Sequence, residues 1–166
     1  EYVLPSILNQ KDFILWICWR PEEKENPIVQ EFQKSLDGIR DLSIIHTFGG
    51  IPFYDDKYSD IEAKERLLET LEISLSQLTV DTPYVLLTIQ PSDDLYHRTA
   101  VEGIQKLFVV HPEFQAVGFP KGYICNYMTK EVAEYNPLTN PPFFTIKFPR
   151  EIFIDPFKHV QYTALK

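Results

Sequence analysis

The stretch "VLLTIQPSDDLYH", residues 85–97, decides how this chain folds and where its chemistry would lie. An apolar run ends at Gln90-Pro91, two adjacent carboxylates follow, and a segment that reads as a helix start comes next. Pro91 lacks an N–H and ends the strand. Ser92, Asp93 or Asp94 would make a good N-cap, and carboxylates in a first turn favour the helix dipole. The same pair suits a hard divalent cation, because Mg²⁺ or Mn²⁺ takes oxygen ligands and combines one or two protein carboxylates with phosphate oxygens. Both assignments are open on these residues alone.

The surrounding pattern gives the pair a position. "FILWICW" (13–19) is an apolar run ending at Arg20-Pro21 and the polar loop "PEEKEN", which predicts a strand covered on both faces as in a parallel sheet. Pro27 opens a helix with Ile28, Phe32, Leu36 and Ile39 as its apolar stripe. "DLSIIHTF" (41–48) predicts a second strand, and "IPFYDDKYSD" (51–60) a loop. From Ile61 to about Gln77 the spacing is helical, with Leu68, Leu71, Leu75 and Leu78 on one face. "YVLLTI" (84–89) is the third strand, and Ala100, Val101, Ile104, Leu107 and Phe108 form the apolar face of a third helix. Strand and helix thus alternate over the first 110 residues, which predicts an α/β layered sheet with right-handed crossovers. In such sheets ligands bind beyond the carboxyl ends of the strands, where residues 90–94 fall.

After His111-Pro112 the character changes. "FQAVGF", "GYICNYM", "FFTIKF" and "EIFIDPF" are short, aromatic and β-branched, separated by Pro-Lys-Gly, Thr-Lys and the Pro-rich "NPLTNPP" (136–142). Hairpins or a mixed sheet are expected there.

Composition narrows the function. With 166 residues, 44% of them hydrophobic, the chain suits a single domain over 1–166. A net charge of −8 argues against a nucleic-acid partner, since phosphate binding needs clustered Lys and Arg. No apolar run approaches the roughly 20 residues that span a bilayer. "EYVLPSIL" lacks the basic and long apolar regions of a signal peptide, and without an initiator Met the chain reads as processed or excised. Cys18 and Cys125 in apolar, strand-like settings suit free buried thiols in a reducing, cytoplasmic setting. No CxxC or HExxH spacing points to zinc.

"TPYVLLTIQPSDDLYHRTAVEGIQKLF" (82–108) resembles the strand–carboxylate–helix segment of GT-A-fold glycosyltransferases, in particular the rhamnosyltransferases related to family two. "GFPKGYICNYMTKEVAEYN" (118–136) is similar to their Gly-Tyr hairpin, and "NPPFFTIKF…HVQYT" to their Pro-Phe segment and late His. The likeness runs in order over about residues 12–163, with motif-level similarity within 84–146. Where that family begins its acidic cluster with Asp, this chain has Pro91, so Asp93 and Asp94 are what the resemblance carries over.

The resemblance implies a three-layer, Rossmann-like mixed sheet, with a parallel nucleotide-binding half (1–110) and a hairpin-rich acceptor-side half (111–166). It implies transfer of a sugar from a nucleotide-diphosphate donor to a glycan or other acceptor hydroxyl, assisted by Mn²⁺ or Mg²⁺. Asp93, Asp94 and His159 would hold the cation. Arg20, after the first strand, would pair with the diphosphate, and Asp56 would contact ribose or base. Each has a plainer role beside it: Arg20 paired with Glu22 or Glu23, Asp56 in a solvated acidic loop with Asp55 and Asp60, His159 as a structural histidine. His97 and Arg98 can face a phosphate or simply start a surface helix, Trp19 is expected in the core, and Tyr123 and Asn126 can border an acceptor pocket. Inverting members of this fold place an Asp or Glu base beyond the β half, and no residue up to Lys166 is assigned that role. The chain is then either a nucleotide-binding part or an incomplete enzyme. Two competing expectations are a non-catalytic binding module on the same fold, and an unrelated α/β domain in which "SDD" is a cap.

Overall fold

The computed structural model describes residues 3–39, 43–48, 60–90, 94–136 and 143–164. In chain order the elements begin with helix α1 (Val3–Leu8), strand β1 (Ile14–Cys18), a 3-10 turn (Pro21–Glu23) and helix α2 (Pro27–Asp37). Strand β2 (Ser43–Thr47), helix α3 (Asp60–Ser76), strand β3 (Tyr84–Thr88) and helix α4 (Ala100–Val110) follow. Strands β4 (Ala116–Phe119), β5 (Gly122–Cys125), β6 (Val132–Tyr135) and β7 (Phe143–Pro149) precede helices α5 (Arg150–Phe153) and α6 (Pro156–Ala164). The protein is therefore mixed α/β, built on small sheets. It divides into two compact units: one joins residues up to Lys11 to Tyr84–Pro149, the other Asp12–Pro83 to the segment from Arg150 onward. Among the described residues no helix is long and apolar enough to cross a membrane.

In the unit that begins at Asp12, β1 and β2 pair in parallel, with Ile14 opposite Ser43 and Cys18 opposite Thr47. Parallel neighbours need a crossover, which α2 supplies. Asn26 caps α2 by accepting the Ile28 N–H at 2.9 Å, and Pro27 stands at a position where its missing N–H costs nothing. The buried stripe of α2 is Val29 and Leu36, with Phe32 half-buried, whereas Ile28 is 75% exposed. Val29, Phe32 and Leu36 share a face at spacings of three and four, and Ile28 lies about 70° from the centre of that face, beyond its edge at Phe32. The expected stripe beginning at Ile28 is corrected accordingly. β1 itself contains no fully buried residue, so the expected cover on both faces is not what its exposure reports.

Helix α3 turns Thr70, Leu71 and Ser74 inward and packs against β2 and α6. The "EIFIDPF" segment, expected as a strand, is instead α5 and the start of α6. Asp155 explains it: its carboxylate accepts the Lys158 N–H at 3.0 Å, and its carbonyl accepts that of His159 at 2.9 Å. Asp155-Pro156 is thus an N-cap followed by a proline in the first turn, and this local signal overrides β-branched composition.

In the other unit β7 is the centre of a three-stranded antiparallel sheet in the order β3-β7-β4. β3, expected to extend the parallel pair, is hydrogen-bonded among the described residues to β7 alone. The cross-strand chemistry favours that partner: Val85 faces Phe148, Leu87 faces Ile146, and the Thr88 and Thr145 hydroxyls bond at 2.8 Å. Phe148 and Thr145 are fully buried, and α4 contributes Ile104 and Phe108 to the core of its unit. β5 and β6 form a separate hairpin, Gly122 opposite Tyr135.

Leu36→Ala is expected to lower the unfolding free energy by about 2–5 kcal/mol, and Ile28→Ala by no more than about 0.5 kcal/mol. Urea unfolding of both variants checks this, and equal losses would contradict the stripe described for α2.

Candidate functional site

Because β1 and β2 run parallel and in register, their carboxyl ends lie side by side. The ladder continues one residue further, where the Trp19 N–H donates to the Thr47 carbonyl at 2.8 Å. Pro21, unable to donate, ends it. The chain then winds into the 3-10 turn, with the Arg20 N–H donating to Glu23 Oε2 at 3.0 Å and the Glu23 N–H returning to the Arg20 carbonyl at 3.0 Å. Glu23 therefore holds the backbone of Arg20, while the Arg20 side chain is exposed and forms no ion pair among the described residues. A guanidinium held at the carboxyl edge of a parallel pair is placed to meet an anion. Asp56 lies outside the described residues.

Aromatic rings gather beside it. On one face of the pair, Ile17 sits opposite His46, and Trp19 and Phe48 continue the alternation. Trp19 lies nearly parallel to His46 (centroids 6.2 Å, 16°) and to Phe48 (6.5 Å, 21°), and Phe32 of α2 meets it edge-on at 5.8 Å. The Trp19 indole donates to His46 Nδ1 at 3.1 Å. Burial holds the His46 imidazole below its ordinary range, with the Asp37 carboxylate opposing that effect. Trp19 packs against these rings but is half-buried, not in the core as expected. His46 escaped notice in the sequence; its signal is its place in "SIIHT", which faces Trp19 only once the register of the two strands is known.

On the opposite face, the Trp16 indole donates to Thr47 Oγ1 at 2.9 Å, and that hydroxyl lies 3.6 Å from Cys18 Sγ. Both cysteines are free and exposed, a correction to the buried thiols expected. Exposure of the Cys18 residue as a whole does not spare its sulfur: desolvation by the surrounding strands pushes the thiol up, the Thr47 bond opposing it.

Asp94 belongs to the other unit, half-buried in irregular chain beyond β3, and Asp93 lies outside the described residues. Helix α4 starts at Ala100 behind Thr99, so Asp94 is not its N-cap. The cap comes instead from the segment just after α1, as Gln10 accepts the Val101 N–H through Oε1 at 3.1 Å and donates through Nε2 to the carbonyls of His97 and Ser6, both at 2.9 Å. Gln10 is 7% exposed, a buried amide whose partners no local pattern could reveal. The Asp94 carbonyl accepts from Gln90 Nε2 at 2.6 Å. Burial first, and then the Asp94 charge, push the Tyr96 phenol well above its usual range. His97 and Arg98 are exposed at the approach to α4.

His159 lies in the unit of Arg20, on α6, and is 4% exposed. Its Nδ1–H donates to the Phe153 carbonyl at 3.1 Å, and its ring packs on Phe153 at 5.1 Å. That bond leaves Nε2 as the nitrogen with the lone pair. Burial again holds the imidazole below its ordinary range, the Phe153 bond opposing it. Among the described residues no group of three or more His, Cys, Asp or Glu side chains gathers as a metal site.

A cleft of about 380 Å³ in the unit of Arg20 lies at the opposite, amino edge of the parallel pair. Ile14, Ser43, Ile44, Ile45, Gln77, Leu78 and Thr79 line it, with no ionisable side chain to balance a phosphate. The carboxyl edge, with its guanidinium, is the better candidate for an anionic ligand. Comparison with protein-family models, with curated proteins and with solved structures gave no match.

His159 and His46 both have folded-state values below the unfolded one, so the unfolded chain binds the extra protons as pH falls. Their contribution is intact above the unfolded histidine range and is lost as pH drops through about 6.5. Urea midpoints measured at about pH 8 and about pH 5.5 should fall for the parent chain and fall less for His159→Phe. An unchanged pH loss in the variant would show that His159 is not a source of the linkage.

Proposed function

We propose that this chain is a glycosyltransferase of GT-A-like, three-layer α/β architecture that takes its sugar from a nucleotide-diphosphate donor. The observation that carries the proposal is the carboxyl edge of β1 and β2, where Arg20 presents an exposed guanidinium on a backbone held by Glu23. A planar, permanently charged fork binds diphosphate oxygens in bidentate fashion and stabilises the negative charge that develops on a departing nucleotide. The reaction would be direct displacement at the anomeric carbon by an acceptor hydroxyl of a glycan or similar molecule.

A divalent cation belongs to the same proposal, with Asp93 and Asp94 as its carboxylates. Asp94 is a half-buried hard oxygen donor beyond the end of β3, of the chemistry that Mg²⁺ or Mn²⁺ takes. When bound, such an ion neutralises charge on the leaving diphosphate. Pro91, standing where the resembled enzymes carry an Asp, favours a second proposal: the same edge in a module that binds the donor without turning it over.

Thermal unfolding with a panel of uridine, guanosine and thymidine diphosphate sugars plus Mn²⁺ tests both. Ligand at a hundredfold excess over Kd should stabilise by about 2.7 kcal/mol, and Arg20→Ala should weaken binding about tenfold to a hundredfold. Asp94→Ala should remove the Mn²⁺-dependent part of the shift. Release of nucleotide diphosphate in the presence of acceptor glycans separates the enzyme from the binding module. No stabilisation by any nucleotide sugar at millimolar concentration would end both.

A further inference from the structure

An indole N–H can only donate, so the bond from Trp19 to His46 requires an unprotonated Nδ1. The proton of the neutral imidazole then sits on Nε2, which is buried and has no hydrogen-bond partner among the described residues. Protonation would bring two N–H donors face to face at a separation of 3.1 Å and place the new cation against an unsolvated Nε2–H. The bond cannot survive that change, and one of the rings must turn away. Trp19 is the residue before Arg20, and it also braces Phe32 and Phe48.

We propose that His46 is a proton-sensitive positioning residue, holding Trp19 and with it the Arg20 loop in place while the imidazole is neutral and releasing both when Nδ1 is protonated. That this release weakens donor binding rests on the function proposed above for the same edge. The surroundings of His46 fit a switch set by Trp19. From α2 the facing charge is Asp37, which acts on the imidazole from the end of that helix. From β1 the cross-strand partner is Ile17, and the Cys18 thiol is engaged by Thr47 on the other face. α3, which packs against β2, buries Thr70, Leu71 and Ser74 and has Glu62, Glu65, Glu69 and Glu72 exposed and Arg66 half-buried. Among the described residues Asp37 is the charged group that shifts His46, and it is outweighed by burial.

The two tryptophans provide the measurement. In ¹H–¹⁵N spectra of the ¹⁵N-labelled chain, with Trp19→Phe to assign the signals, the Trp19 indole N–H should shift with a single inflection between about pH 8 and about pH 5. The Trp16 indole, bonded to the non-titrating Thr47 hydroxyl, should stay fixed over the same range. His46→Asn places an amide oxygen close to Nδ1 and cannot titrate, so its Trp19 signal should be flat and downfield, as in the neutral parent. His46→Phe should leave the signal flat but at the unbonded position.

Affinity for uridine, guanosine and thymidine diphosphates is measured across the same pH range on the parent and on His46→Asn. Affinity that falls about tenfold in acid for the parent and stays level for His46→Asn supports the proposal. A Trp19 signal that does not titrate, or that titrates equally in His46→Asn, overturns it even if the nucleotide binds. A Trp19 signal that titrates while no nucleotide binds at any pH upholds the switch and overturns the donor site. Affinity that falls equally in both proteins overturns the positioning role.

Discussion

The parallel register of β1 against β2 is the constraint on which this structure turns. Five residues on each strand pair without a bulge, and the ladder runs on from Thr47 to the Trp19 amide. A slip of one residue would move Trp19 to the other face and remove its partner, because side chains alternate along a strand. Parallel pairing also demands a crossover, and α2, with Val29 and Leu36 buried, is the covering element that satisfies it. One set of backbone hydrogen bonds thus places the Arg20 loop, the aromatic rings and His46 at one edge.

The other unit is organised on different principles. β7 is buried between two antiparallel neighbours, and its polar core residue, Thr145, is satisfied by Thr88 across the strand. Buried polar groups persist when paired, and Gln10 follows the same rule with three backbone partners. The exposed hairpin of β5 and β6 contrasts with this economy: Tyr123, Tyr127 and Met128 are open to solvent at its faces and tip. These features belong to the chain segment that the resemblance linked to the acceptor side.

Hydrogen bonding separates the ionisable groups of the unit that begins at Asp12. Arg20 is held through its backbone, which leaves the guanidinium for another partner. His159 spends Nδ1 on Phe153 within the core of its unit, whereas His46 spends Nδ1 on an indole close to the surface. The two histidines share a direction of shift because both are desolvated, but only His46 sits where loss of its bond reaches a loop with exposed charge.

The sequence by itself determined most element types. Apolar strands bounded by Pro, the Asn26-Pro27 start of α2 and the leucine spacing of α3 are local signals, encoded within a few residues of where they act. The same locality misled at "EIFIDPF", where composition favoured a strand while Asp155-Pro156 specified a helix start. It misled again at "SDD", because nothing near Asp94 indicates that α4 begins at Ala100. Tertiary structure alone decided the partner of β3, the burial of Val29 in place of Ile28, the Gln10 cap on α4 and the meeting of Trp19 with His46. The physical reason is separation along the chain. The Trp19–His46 bond joins residues 27 apart, and the bond from Val101 to Gln10 joins residues 91 apart. Periodicity reports which face of an element is apolar, but only pairing and packing report what that face meets.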